Sequence, residues 1–428
     1  MYNKALEAMA DKLRAARLLP LESQAQLSTE ILKTRLETVL PWAMERSGID
    51  FWIVMGKENC EDPILKTLFT WDMPHARRIS MLAFHYDRAA KKVRAMSIGP
   101  QSPEMGKLYE NVKLPEESLW ECAARLVGEL NPEKIGVERS QNYGFCDGLM
   151  ATLSDQLLEA LPQEMRARVC SAEELSVRWL QKVTPIEKKV METLSEVTQD
   201  ITMLTFNNAS IQVGKTTTTD LEWLMRNTIS RLGFDFWFGP DIDLQREGGS
   251  STRMFHEVIR PGDLLHCDIG IVGRFVQLNT DMQWVAYVRK PGEEHAPAEL
   301  CQLLAKGNRF QDIVASHFKD QAAGNDVFAA AVAQAREEGL KPMLYTHPLG
   351  TFGHGAGPTI GRYDLQGFVA GPGERPLERE TCYALELNVR ENLALWGGQE
   401  VYMYLEEDIY FDEKVEFVHG RQTQMIEL

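Results

Sequence analysis

Two adjacent segments of strong β propensity each carry an aspartate, a residue that strands rarely accommodate. The segments are DLLHCDIGIV (263–272) and FVQLNTDMQWVAYV (275–288), and the aspartates are Asp268 and Asp281. Aspartate is depleted in strands, and burial of its charge is costly unless a partner compensates. Their separation of thirteen residues is odd, so in an antiparallel hairpin the two side chains can lie opposite each other on one face. The pattern predicts a hairpin that presents two carboxylates to one site.

Two further acids stand in β-rich segments. Glu386 is an isolated charge in CYALELNV (382–389). In VYMYLEEDIYF (401–411), alternation places Glu406 and Asp408 on one face and Glu407 on the apolar face, with Val401, Met403, Leu405 and Ile409. We therefore expect Glu407 to be the acid that needs a partner. Any one of these acids could be satisfied by backbone N–H groups or an arginine, but four together favour a shared site.

Four neighbouring carboxylates cannot all ionise in an empty site, because burial and the neighbouring negative charges both raise the pKa of each carboxyl group. Two divalent cations would balance four negative charges, and a neutral histidine would complete the ligand set. The glycine-rich segment YTHPLGTFGHGAGPTIG (345–361) offers such a histidine, since glycine permits close approach of the backbone to a ligand. A lone surface histidine is the alternative. Oxygen-rich ligation with one imidazole suits manganese, cobalt or zinc.

The order of segments changes near Thr184 and Pro185. Before this point strands and helices alternate in an α/β pattern; after it, two helices precede strand-rich, glycine-containing segments of α+β type. Proline suits the first turn of a helix, and a chain of 428 residues exceeds the size of most single cores. We therefore predict two domains, residues 1–184 and 185–428.

Composition narrows the partners. A net charge of -16 and a pI near 5.2 oppose nucleic-acid binding. Seven cysteines without a C-x-x-C pair indicate neither a disulfide framework nor a zinc knuckle. The N-terminus lacks the apolar core of a signal peptide, and no apolar stretch is long enough to cross a membrane. We expect a cytoplasmic protein with no membrane or nucleic-acid partner.

The segments LLHCDIG, NTD, the histidine loop, ALEL and LEED follow one another in an order that resembles the pita-bread metallopeptidases. This family includes methionine aminopeptidase, aminopeptidase P and prolidase, with creatinase as a metal-free relative. The motifs cover residues 185–428, whereas residues 1–184 are similar to the creatinase-type N-terminal domain in position, length and pattern. The resemblance implies an α+β chain with a pita-bread catalytic domain preceded by a creatinase-like α/β domain. It implies five metal ligands: Asp268, Asp281, His347, Glu386 and Glu407.

The resemblance also distinguishes between competing residues. The family places a second functional histidine seven residues after the metal ligand, and His354 lies seven after His347. This implies that His347 binds metal and that His354 is a catalytic residue facing the substrate, with Glu386 as the proton shuttle. The family usually spaces its two aspartates two residues more closely, which makes Asn279 a rival of Asp281. We favour Asp281, because bridging two cations requires a negative charge.

The implied function is that of a dinuclear peptidase, an Xaa-Pro aminopeptidase in which a hydroxide bridging two metal ions attacks the scissile amide. The resemblance implies Mn²⁺, with Co²⁺ or Zn²⁺ as alternatives, a peptide substrate and a homodimer. Proline-directed members tend to have histidine and arginine where this chain has Ser251 and Leu405. An Xaa-Pro dipeptidase (prolidase) is therefore a close rival. A metal-free creatinase-like hydrolase and a non-catalytic binding protein are the further alternatives.

Overall fold

The computed structural model describes residues 4–428. They form two compact units, one of residues 20–184 and one of residues 185–428 together with the N-terminal helix α1 (Lys4–Arg17). Among the described helices, none is long and apolar enough to cross a membrane.

Helix α1 belongs to the C-terminal unit, although the sequence places it in a domain of residues 1–184. The helix buries Leu6 and Ala10 and packs against the helices that begin at Pro185 and Thr218. Arg231 pairs with Asp11 of α1 at 2.6 Å. Helix α1 joins this unit because it is amphipathic, and its apolar face is buried against these two helices.

The N-terminal unit has the α/β architecture that its sequence pattern predicts. Its strands are β1 (Phe51–Lys57), β2 (Ile79–Asp87), β3 (Lys92–Ile98), β4 (Glu110–Asn111), β5 (Ile135–Val137) and β6 (Val169–Ser171). They form one mixed sheet in the order β4-β3-β2-β1-β5-β6. The helices are α2 (Leu21–Thr34), α3 (Leu40–Ser47), α4 (Pro63–Thr67), α5 (Met105–Leu108), α6 (Leu119–Leu130), α7 (Ala151–Ala160), α8 (Gln163–Arg166) and α9 (Glu173–Gln181), with a π-helical turn at Arg35–Val39.

The C-terminal unit is α+β. Its helices are α10 (Pro185–Thr205), α11 (Thr218–Leu232), α12 (Ala298–His317) and α13 (Gly324–Glu337). Its strands are β7 (Asp235–Phe236), β8 (Asp241–Gln245), β9 (Leu264–Ile269), β10 (Ile271–Val272), β11 (Met282–Tyr287), β12 (Pro342–Leu349), β13 (Thr381–Leu393), β14 (Gln399–Leu405), β15 (Asp408–Phe411), β16 (Val415–Phe417) and β17 (Ile426–Glu427).

Two sheets of this unit, antiparallel except for the β17–β11 pair, meet where β11 lies beside β14. One sheet has the order β17-β11-β9-β8, and the other has the order β12-β13-β15-β16 with β14 also paired to β13. Leu385, Leu387 and Leu405 pack into a core with residues of α12 and α13, so the alternate residues of β13 and β14 face away from these helices. An antiparallel bridge between Gln283 and Glu406 joins the two sheets.

Candidate metal centre

A histidine and two carboxylates lie together where the two sheets meet. Asp281, His347 and Glu406 are buried, and one ligand atom from each lies within 4.8 Å of the others. The His347 Nε2 atom is 3.4 Å from Asp281 Oδ2 and 3.6 Å from Glu406 Oε1. These distances are too long for good hydrogen bonds, yet suitable for three groups that surround a cation.

Strand register brings the remaining carboxylates to the same place. Because Leu387 pairs with Leu405 and Ala384 with Asp408, Glu386 of β13 lies opposite Glu406. Asp268 of β9 pairs with Gln283 of β11. Asp268, Asp281, Glu386 and Glu406 line one cavity of about 330 Å³, whose aromatic walls are Trp237, Phe238, Tyr345, Tyr363 and Tyr404.

Glu407 does not reach this cavity, contrary to the expectation from alternation. Its Oε1 atom accepts hydrogen bonds from Trp284 Nε1 at 2.8 Å and from the Gln422 backbone N–H at 2.7 Å. Glu406 occupies the place predicted for Glu407, because the face of β13 and β14 that lies away from α12 and α13 holds the acids. The residue two positions before Glu406 is Tyr404, which lines the cavity. Leu405 lies two positions before Glu407 instead.

Asp268, Asp281, Glu386, Glu406 and His347 form a cluster in which several carboxylates lie close together. Their ionisation requires nearby positive charge. Burial, together with neighbouring carboxylates, raises the pKa of Asp268 to about 8. The same causes raise the pKa values of Asp281 and Glu406 well above their usual range. Acids packed this closely cannot all be ionised unless cations lie among them.

Three buried atoms of the cluster make no hydrogen bond within residues 4–428: Asp268 Oδ1, His347 Nε2 and Glu406 Oε1. Buried polar atoms without partners are rare and require an explanation. Each of these atoms is a good ligand for a hard or borderline divalent metal ion. The donor set therefore fits a metal site made of carboxylates and one imidazole.

The two candidates for the second acidic ligand have different environments. Asn279 donates through Nδ2 to the carbonyl oxygens of Gly350 and Thr351 at 2.8 and 2.7 Å, which ties two loops together. Asp281 lies in the cluster. The segment between Asp268 and Asp281 includes β10, whose residues pair with β7 rather than with the main sheet. Asp281 lies two residues before Gln283, the partner of Asp268 in the neighbouring strand, and therefore shares the face of Asp268.

His354 lies beside the cluster but outside it. Its ring centroid is 4.7 Å from that of His347 and 5.0 Å from that of Trp237. A Cβ atom at Gly353 would lie 2.2 Å from the Trp237 ring, so glycine is required for this close packing. The surrounding groups desolvate His354, and this effect together with His347 lowers its pKa. The neutral imidazole is therefore the form present near pH 7.

A row of polar side chains behind the cluster was not anticipated from the sequence. Gln283 donates through Nε2 to Glu406 Oε2 at 2.7 Å, and its Oε1 atom is 3.0 Å from His266 Nε2. His266 Nδ1 is 2.9 Å from Asp243 Oδ2, and Arg253 donates to that same oxygen through Nε at 2.6 Å. His266 precedes Asp268 by two residues and therefore shares its face, a signal that alternation could have revealed.

Comparison with known proteins agrees with this geometry. The model of "Metallopeptidase family M24" matches residues 180–413, which is more than half of the chain. The chain belongs to metallopeptidase family M24. The family resemblance inferred from the five motifs is thereby confirmed, and with it a metal-dependent peptidase. No curated protein matches the chain.

Solved structures of similar fold cover both domains of this M24 protein. An X-Pro aminopeptidase from Thermotoga maritima is 15% identical, with a TM-score of 0.64, and the match covers 90% of this chain and 99% of that chain. For an Xaa-Pro dipeptidase from Bacillus anthracis, 17% identical, the TM-score is 0.58 and the coverage 94% and 100%. For a prolidase from Pyrococcus furiosus, 16% identical, the values are 0.55, 89% and 98%. The predicted pita-bread fold with a preceding α/β domain is confirmed.

Proposed function

We propose that this M24 protein is an Xaa-Pro aminopeptidase whose two divalent metal ions, most suitably Mn²⁺, are held by Asp268, Asp281, His347, Glu386 and Glu406. The observation that carries the proposal is the buried group of Asp281, His347 and Glu406, whose His347 Nε2 and Glu406 Oε1 atoms have no hydrogen-bond partner among the described residues, beside a cavity that four acids line. Glu406 replaces Glu407 in the ligand set, because the carboxylate of Glu407 faces Trp284 and Gln422.

Divalent ions bound there would polarise the scissile carbonyl and lower the pKa of a nearby water. The protein supplies the proton transfers. Glu386 is one of the acids that line the cavity. Its carboxylate can therefore accept a proton from the attacking water and return it to the leaving nitrogen. The buried setting strengthens each of these electrostatic interactions because little water screens them.

His354 is proposed to donate a hydrogen bond to the oxyanion that develops on the scissile carbonyl. Its neutral ring lies on the cavity wall beside His347. Loss of one such donor lowers kcat by about 10²–10³-fold, and we expect this for His354→Ala at saturating Mn²⁺, with metal affinity unchanged. An unchanged kcat would refute the assignment. Loss of bound metal from His354→Ala, but not from His347→Ala, would reverse the roles of the two histidines.

The aromatic walls of the cavity suit an apolar ring such as that of proline. Trp237, Tyr345 and Tyr404 offer flat apolar faces next to the acids, and rings of this kind supply large contact areas. The cavity of about 330 Å³ lies near the lower limit for ligand pockets. A small cavity favours a short substrate, so Xaa-Pro dipeptidase activity is the second candidate.

A panel of peptides tests the proposed function. Metal-stripped protein reconstituted with Mn²⁺, Co²⁺ or Zn²⁺ is incubated with an Xaa-Pro dipeptide, an Xaa-Pro tripeptide and a Met-Ala peptide, and product is followed by chromatography. We expect cleavage of the tripeptide before proline, at a rate well above that of the Met-Ala peptide. Cleavage of the dipeptide alone would establish the second candidate, and no cleavage with any metal would refute both.

A further inference from the structure

Gln283 and Glu406 are joined more firmly than a single contact requires. Their backbones form both hydrogen bonds of an antiparallel bridge, each 3.1 Å long. The side-chain Nε2 of Gln283 adds a third bond, to Glu406 Oε2 at 2.7 Å. One carboxylate oxygen is thereby occupied, and the other, Oε1, is directed to within 3.6 Å of His347 Nε2.

The orientation of the Gln283 amide is itself fixed. Its NH₂ group donates to Glu406, so its Oε1 atom must accept, and His266 Nε2 lies 3.0 Å from it. His266 is in turn held at Nδ1 by Asp243, which lies opposite it on β8. Arg253 and His266 both contact Asp243 Oδ2. Asp243, His266 and Gln283 are all buried, which limits competition from water for these bonds.

We propose that Gln283, held in place by His266 and Asp243, is a positioning residue that turns the Glu406 carboxylate so that Oε1 faces Asp281 and His347. A carboxylate that rotates freely would present its two oxygens in a range of directions and would lose rotational entropy when it binds an ion. A fixed amide donor removes that cost before the ion arrives. The assignment rests on the proposed function, since it requires that the ion be a divalent metal.

The purely structural alternative is that the row of polar groups only satisfies its own hydrogen bonds. On that reading, removal of Gln283 lowers stability but leaves the affinity for metal as it was. Gln245 provides a matched control, because it is an equally buried glutamine of the same sheet. Its side chain forms two hydrogen bonds with the backbone of Tyr402 and none with the cluster.

The experiment compares Gln283→Met, His266→Leu, His266→Gln and Gln245→Met with the wild type. Metal-stripped full-length proteins are titrated with MnCl₂ by calorimetry, and thermal unfolding without metal is measured in parallel. Loss of partners that orient metal ligands typically weakens metal affinity by about 10–100-fold, and we expect this for Gln283→Met and His266→Leu. His266→Gln keeps an N–H directed at Gln283 and should recover much of the affinity. Gln245→Met should lose stability but retain affinity.

Three results would overturn the proposal. Wild-type affinity for Mn²⁺ in Gln283→Met would leave Glu406 positioned by other groups, while the proposed function would stand. An equal loss of affinity in Gln245→Met would show that general destabilisation is the cause. Absence of Mn²⁺ binding by the wild type would remove the proposed function as well. The positioning role of Gln283 would be supported by weak Mn²⁺ binding in Gln283→Met and His266→Leu, partial recovery in His266→Gln and normal binding in Gln245→Met.

Discussion

Replacing Glu406 by glutamine is expected to abolish peptide hydrolysis, whereas the same change at Glu407 should leave it nearly intact. Glu406 presents an oxygen without a hydrogen-bond partner to Asp281 and His347, and glutamine removes the charge that would hold a cation there. The loss should exceed the roughly 100-fold that is typical of residues that only orient metal ligands. It is measured as kcat/KM on an Xaa-Pro tripeptide across a range of Mn²⁺ concentrations.

Glu407→Gln is the matched control, because it changes the neighbouring glutamate in the same way. Glu407 accepts hydrogen bonds from Trp284 and Gln422, and a glutamine carbonyl can accept both. Burial raises the pKa of Glu407 well above its usual range, and an uncharged amide avoids the cost of burying a charge. The opposite result, an inactive Glu407→Gln and an active Glu406→Gln, would contradict the site described here.

Glu386→Gln is expected to lower kcat by about 10²–10⁴-fold, the range contributed by a positioned general acid or base. The amide keeps an oxygen that can still act as a ligand, but it cannot accept and return a proton. We therefore expect the fall to appear in kcat at saturating Mn²⁺ rather than in KM for the peptide. Steady-state kinetics of wild type and variant, measured side by side, give the two constants.

Two controls make the Glu386 result interpretable. Bound manganese is quantified in the same preparations, and near-ultraviolet circular dichroism checks that the packing around the aromatic walls is unchanged. A variant that retains both ions and the native spectrum, yet turns over at the wild-type rate, would show that another group moves the proton. Activity that recovers fully at high Mn²⁺ would assign Glu386 to metal binding alone.

The sequence predicted the acids that stand alone in their strands. Asp268, Asp281 and Glu386 are each a single charge within an apolar run, and all three line the cavity. Alternation failed at Glu406 and Glu407, because both faces of this segment are covered and each residue is only 1% exposed. Because both glutamates are buried, burial does not show which of them faces the site. That depends on which side of the strand packs against the helices, and tertiary packing decides it.

The contacts within the row behind the cluster could not be derived from local pattern, although alternation places His266 on the face of Asp268. Asp243, His266 and Gln283 come from three different strands, and Glu406 follows β14. Their contacts depend on the register of β8, β9 and β11 and on the bridge between the sheets. A sequence shows which residues share a face of one strand, but not which strand will lie beside it. The same limit applies to α1, whose apolar stripe is visible in the sequence while its packing partners are not.

The number of divalent ions bound per chain shows whether His347 and the four carboxylates form a dinuclear site. Wild-type protein is stripped with a chelator, reconstituted with MnCl₂, freed of excess metal and analysed for manganese by mass spectrometry, with Glu406→Gln and Glu407→Gln treated identically. A site built from four carboxylates and His347 predicts two ions per chain in the wild type and in Glu407→Gln, and fewer in Glu406→Gln. A wild-type chain that binds no manganese, cobalt or zinc and still cleaves an Xaa-Pro peptide after chelation would contradict it.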